Sequence, residues 1–262
     1  ALKWVDGLVI LNHVSNDESV QIVNDLAREH KDRISMFSTE DPQWSEMFHR
    51  QLLLENARSH GATHIALIDA DEILTANLIG RMREWIERLE PGRPLEVPML
   101  AMRTLDQYQD DASCWSTVML SIAFKDIPNA TWMPDSGGYQ HHQRLPYRIG
   151  GQPFRPLQRK DQGGVMHLQF ANERRLIAKH TLYQLNDYLR WPEREPKKHL
   201  RWKYSLALEK PTGLANLPAD WWPTGAKERI KLDGVPWQEA EIFRLIHEHG
   251  REKFEGLDLH GF

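Results

Sequence analysis

The segment His64–Leu74, HIALIDADEIL, runs an apolar stretch straight into Asp69-Ala70-Asp71-Glu72. In extended backbone, residues i and i+2 point to the same side, so Asp69 and Asp71 are expected to converge, with Ala70 leaving the approach open. Ligands bind beyond the carboxyl ends of strands in open α/β sheets. Two hard carboxylates at such an edge suit a Mg²⁺ or Mn²⁺ ion that shares its shell with substrate phosphates. The plainer explanation is an acidic surface turn leading into a helix, to which Glu72 and Thr75 would contribute. Burial of the preceding stretch favours the metal reading.

Other chemistries fail on spacing. No G-x-x-x-x-G-K-[ST] or G-x-G-x-x-G occurs. His247-Glu248-His249 brings its second histidine too soon for H-E-x-x-H, and Ile73 and Leu74 stand where a calcium loop needs a ligand and a glycine. Asp135-Ser136-Gly137-Gly138 has no companion His and Asp segments that would make a serine nucleophile. The single cysteine, Cys114, excludes a disulfide framework and a multi-cysteine zinc site.

The elements that must position these acids alternate between strand and helix. Strands are expected at Gly7–Asn12, Ile34–Ser38, His64–Asp69, Leu95–Met102, Thr117–Phe124 and Val165–Phe170. Between them, a capping-box pattern at Ser15 and Glu18 opens a helix to about His30, with Val20, Val23 and Leu26 inward. Ser45–His60 reads as a helix stopped by Gly61. Leu78, Met82, Trp85, Ile86 and Leu89 recur at helical spacing before Pro91-Gly92. Pro128–Gly164 reads as a long functional loop, the chain turns helical from Glu173, Pro211–Pro223 is a loop, and Pro236–Gly250 a last helix. The expectation is an α/β fold, a three-layer mixed sheet over residues 1–170, with a mostly helical extension over 171–262 packed on it.

Three segments in order resemble the GT-A fold glycosyltransferases, within the large family-2 group of nucleotide-sugar enzymes. Val5–Asp17, VDGLVILNHVSND, is similar to the family's second strand and its D-x-x-S-x-D turn, carried here by Asn12, Ser15 and Asp17. Phe48–Glu72 resembles the helix and strand that lead into the family's metal motif, and Gly164–Tyr183, GVMHLQFANERRLIAKHTLY, the segment that closes over the donor diphosphate. The family's first strand would precede Val5, where only four residues stand, so that strand is expected to be missing or replaced. The resemblance implies a metal-dependent transfer of a sugar, from a UDP-sugar first of all, to an acceptor hydroxyl with inversion. It assigns Asn12, Ser15, Asp17, Arg50, Asp69, Arg174 and Lys179 to the nucleotide donor, and Asp69, Asp71 and His167 to Mn²⁺ or Mg²⁺. A nucleotidyltransferase or a non-catalytic nucleotide- or glycan-binding module is the alternative.

An inverting transferase needs a carboxylate base near the acceptor. Asp135 is the first candidate, in Trp132–Arg148, WMPDSGGYQHHQRLPYR; Asp106, Asp110 and Asp111 follow. Trp132, His141, His142 and Arg144 are the acceptor candidates, although a tryptophan more often packs a core. The chain has 262 residues and a formal charge of −4, but Gln140–Ser205 carries 14 Lys and Arg against 5 Asp and Glu. Such a stretch is a solvated helical face or a surface for something anionic. A glycan is the expected acceptor, with a polyanion such as hydroxymethylated DNA of the phage type behind it. No apolar run is long enough to span a bilayer, no secretory signal opens the chain, and a cytoplasmic setting is expected. The sequence leaves the oligomeric state open.

Overall fold

A computed structural model describes residues 1–40, 45–133, 143–193 and 196–262. They form a mixed α/β protein with six α-helices among them. None of these helices is long and apolar enough to cross a membrane. The chain divides into two compact units that interleave along the sequence. The first holds Ala1–Asp69, Asn77–Pro98 and Met119–Gly163; the second holds Ala70–Ala76, Met99–Val118 and Gly164–Phe262. A split at residue 170 is therefore not the one the chain makes: short strands drawn from the first half pair with strands of the second.

In the first unit, β1 (Leu8–His13) and β2 (Ile34–Thr39) pair in parallel, Leu8 opposite Ile34 through His13 opposite Thr39. Between them runs α1 (Ser19–Glu29), which buries no residue fully and leaves Leu26 exposed. The expected capping box does not form. Glu18 precedes the helix without a side-chain cap bond, and the Ser19 amide donates to Asp17 Oδ1 instead (2.9 Å). Helix α2 (Glu46–Ser59) follows as expected, and Gly61 with φ 78° ends its exit turn. Strand β3 (His64–Ala66) is shorter than the sequence suggests, ending three residues before Asp69.

Helix α3 (Ala76–Glu87) buries Leu78, Met82, Trp85 and Ile86 at helical spacing. In the first unit, β3 pairs antiparallel with β7 (Met119–Lys125), which pairs antiparallel with the first part of β5 (Pro94–Ala101). Met47, Leu54, Ile65, Phe124, Ala130, Trp132 and Ile149 pack as one core. Arg58 clasps its rim, donating to both Asp126 carboxylate oxygens (2.7 and 2.8 Å) and to the Ile127 and Ala130 carbonyls. Such two-pronged pairing suits the planar guanidinium.

In the second unit, β4 (Glu72–Leu74) pairs antiparallel with β8 (Val165–His167), and β8 runs parallel to the end of β5. The ladder order within this unit is thus the end of β5, then β8, then β4. Glu72–Leu74, for which no strand is expected, pairs as one, and Gly164 and Thr75 bond to each other at the end of its ladder. Leu168–Phe170, expected to continue the last strand, is instead a single 3₁₀ turn.

Part of the stretch expected as a loop over Pro211–Pro223 forms a small ladder, β9 (Leu214–Asn216) against β6 (Gln107–Gln109). Gly213 lies so close to the Asp110 carbonyl that no Cβ fits there, and this approach admits the bond from the Asp110 amide to the Gly213 carbonyl. The remaining helices are α4 (Glu173–Arg190), α5 (Lys197–Ser205) and α6 (Trp237–His249). They enclose Leu182, Leu185, Leu200, Tyr204, Ile242 and Leu245.

Candidate functional site

The Asp69-Ala70-Asp71 run does not continue a strand. Residues 67–69 are irregular and Ala70-Asp71 form a turn, so Asp69 and Asp71 do not share one side of a strand as expected. The two acids also belong to different units, and each is held by its own partners.

In the first unit, Asp69 receives two arginines. Arg50 Nη2 of α2 lies 3.3 Å from Oδ1, and Arg144 Nη1 lies 3.2 Å from Oδ2. Both guanidinium groups are largely buried, while the Asp69 side chain is 40% exposed. Arg50 is steadied by Glu46 one helical turn earlier (2.9 Å). Burial pulls the Arg50 guanidinium down, and Asp69 and Glu46 more than restore it, so it stays above its ordinary value. Arg144 also donates to the Ser121 carbonyl (2.6 Å) and the Leu67 carbonyl (3.1 Å). It therefore ties the segment after β3 to β7 rather than standing free for an acceptor.

In the second unit, Asp71 meets a histidine and a lysine. Its Oδ2 lies 3.5 Å from His167 Nε2 and 3.7 Å from Lys179 Nζ. Burial alone would raise the Asp71 carboxyl, but the hydrogen bond and charge of His167, with Lys179 behind them, hold it well below the usual carboxylate range. The Leu168 amide donates to the Asp71 carbonyl (2.8 Å), which fixes the turn against the end of β8. His167 Nδ1 lies 3.4 Å from Met99 Sδ, and its ring stands edge-on to Phe170. Lys179 is aimed by Gln169 Oε1, at 2.8 Å. Residues 71, 167 and 179 are brought together by β4–β8 pairing and by the start of α4.

The other sequence-derived residues divide plainly. Asn12 bonds to Ser38 Oγ (3.2 Å) and accepts the Ser15 amide (3.3 Å), so Asn12, Ser15 and Asp17 form the turn after β1. Val14 within it has φ 50°, an unusual setting for a β-branched residue. Arg174 pairs with Glu239 of α6 through two bonds (2.6 and 2.7 Å), away from Lys179. Trp132 is 1% exposed and donates to the Gln143 carbonyl, so it packs the first unit's core and presents no face for stacking.

Among the base candidates, Asp106 is paired with Lys227. Asp111 would be raised by its desolvation, yet bonds from Ser113, the Thr212 amide and Gln109 hold it far below the ordinary range. A carboxylate so saturated is a weak proton acceptor. Asp135, His141 and His142 lie outside the described residues.

Sequence reasoning missed Glu46, Gln169, Met99 and Phe170. Glu46 was legible as the i−4 partner of Arg50; the other three depend on the turn after β8 and on β5–β8 pairing, which no local pattern announces. Among the described residues no group of three or more His, Cys, Asp or Glu side chains gathers as a metal site. The fold and these two acidic centres define a mixed α/β protein with paired charges at the turn after β3 and at the turn before β4. No protein-family model, no curated protein and no solved structure matches the chain.

Proposed function

We propose that the chain is a metal-dependent glycosyltransferase of GT-A type. It would move a sugar from a nucleotide diphosphate, UDP first of all, to an acceptor hydroxyl with inversion. The observation that carries this reading is the meeting of Asp71, His167 and Lys179 in the second unit. Asp71 is far in sequence from His167 and Lys179, and the family resemblance assigns the three to one metal and diphosphate.

The donor set fits a divalent ion in part. Asp71 Oδ2 and His167 Nε2 are 3.5 Å apart, close to the roughly 3 Å between neighbouring ligands on an ion bound at about 2.1 Å. An oxygen and an imidazole nitrogen suit Mn²⁺. Two protein ligands would leave the remaining positions to water and phosphate oxygens, the usual habit of such ions in phosphate chemistry. When bound, the ion would neutralise charge on the leaving diphosphate. Lys179, 24% exposed and already beside Asp71, supplies three donors for a phosphate oxygen. His167 is turned toward Asp71 by the strand pairing that sets it opposite Glu72.

The test is calorimetry with UDP, GDP and TDP, each with and without Mn²⁺, followed by hydrolysis of the matching nucleotide sugar. Binding that requires the ion and is lost in Asp71→Ala supports the reading. Absence of diphosphate binding under every condition overturns it. Ion-dependent binding without turnover on any sugar or acceptor points to a binding module.

A further inference from the structure

We propose that the outward face of α5 is a binding surface for single-stranded nucleic acid. Helix α5, KKHLRWKYS, contains no acidic residue. Its inner face is fixed: Leu200 is 0% and Tyr204 3% exposed, both in the core made with α4 and α6. Two of its lysines are occupied by the protein. Lys197 donates to the Lys253 and Glu255 carbonyls and lies over the Tyr188 ring, and Lys203 pairs with Asp187 (3.0 Å).

Lys198, His199, Arg201 and Trp202 remain outward. Helical geometry places them around the side opposite Leu200 and Tyr204, with Lys198 one turn from both Arg201 and Trp202. Trp202 is 59% exposed, and His199 lies beside it at 5.6 Å between ring centroids, tilted by 38°. Among the described residues, neither Lys198 nor Arg201 has a carboxylate within ion-pair distance.

The chemistry of this face selects among anionic polymers. Lysine and arginine side chains donate and never accept. Sugars stack on tryptophan too, but their hydroxyls also need acceptors, and α5 presents no carboxylate or amide outward. A phosphate backbone needs only donors, and unpaired bases offer flat faces to an indole and a guanidinium. A duplex hides those faces, so the single strand is the favoured form. The surface contains none of Asp71, His167 and Lys179, and it stands whether or not the chain transfers a sugar.

The experiment uses the full chain and a fluorescent mixed-sequence DNA of about 16 nucleotides, read by anisotropy at roughly 50 and 200 mM salt. The same oligonucleotide as a duplex, and heparin, serve as competitors. Trp202→Ala should weaken binding about tenfold with the salt dependence unchanged, and Trp202→Phe should restore most of it. Replacing Lys198 and Arg201 together by glutamine should lower the slope of log affinity on log salt by about 1.4, at roughly 0.7 per phosphate contact. Circular dichroism of each variant confirms the fold, and its UDP binding should equal that of the unaltered chain. No binding at low salt overturns the proposal. So does binding that Trp202→Ala leaves intact, or a preference for heparin over the single strand.

Discussion

Two carboxylates separated by one alanine are met by different kinds of cation. Asp69, in the first unit, is gripped by Arg50 and Arg144, whose charges are permanent and whose remaining donors go to Glu46 and to backbone carbonyls. Asp71, in the second, faces an imidazole and a flexible ammonium, with its side chain 38% exposed. A guanidinium clamp of this kind builds structure; an imidazole can turn a lone pair to an incoming ion, and an ammonium can swing to an incoming phosphate. The same residue type, two positions apart, is therefore clamped by two guanidinium groups in one unit and, on the proposed reading, left open to exchange its partners in the other.

The sharpest way to break that contrast is to remove each acid in turn. Asp71→Ala should cost about 100-fold or more in Mn²⁺-dependent donor binding or hydrolysis, the scale seen on losing metal-site groups. Asp69→Ala should cost clearly less, and equal losses measured side by side would erase the distinction. Arg144→Met should lower unfolding free energy by about 2 kcal/mol in urea titrations, since its charge-assisted bonds tie three partners. Lys179→Met should stay within about 0.5 kcal/mol of the parent in the same titration. A reversed order would make Asp71 the structural centre.

Lys179→Met should nevertheless weaken nucleotide-diphosphate affinity about tenfold, the worth of one charged hydrogen bond. Arg174→Ala should leave that affinity unchanged, because Arg174 is committed to Glu239. The smallest effect concerns acid. Asp71 is depressed in the folded chain, so its stabilisation is present above the unfolded carboxylate value of about 4 and is lost as pH falls below it. Asp71→Asn should flatten the acid limb of stability below about pH 4. An unchanged acid limb would show that His167 and Lys179 do not hold the carboxylate down.

Long periodic elements were legible in the sequence, and short paired ones were not. Helices α2, α3, α4 and α6 follow from apolar residues at helical spacing, and Gly61 marks its turn through a backbone angle other residues avoid. Strands β4, β6 and β9 have three residues each, too few for any period. They exist because distant partners supply the missing hydrogen bonds, and Gly213 permits one such approach. For the candidate site, the acids and the late histidine with its basic helix were readable as residue types. Which cation each acid meets was not, as Arg174 shows by turning to Glu239 while Lys179 turns to Asp71.

The sequence by itself determined the alternation of strands and helices, the position of the acidic run, and the concentration of positive charge after Gln140. These rest on local spacing and composition, which the chain carries wherever it goes. Tertiary structure alone decided that β3 stops at Ala66, that Ala70 and Asp71 turn, and that Asp69 and Asp71 fall to different units. It also decided which tryptophans are hidden: Trp132 is buried at 1% exposure and Trp202 stands out at 59%. An indole gains by burial wherever a cavity of its shape forms, and only the packing of distant elements makes such a cavity.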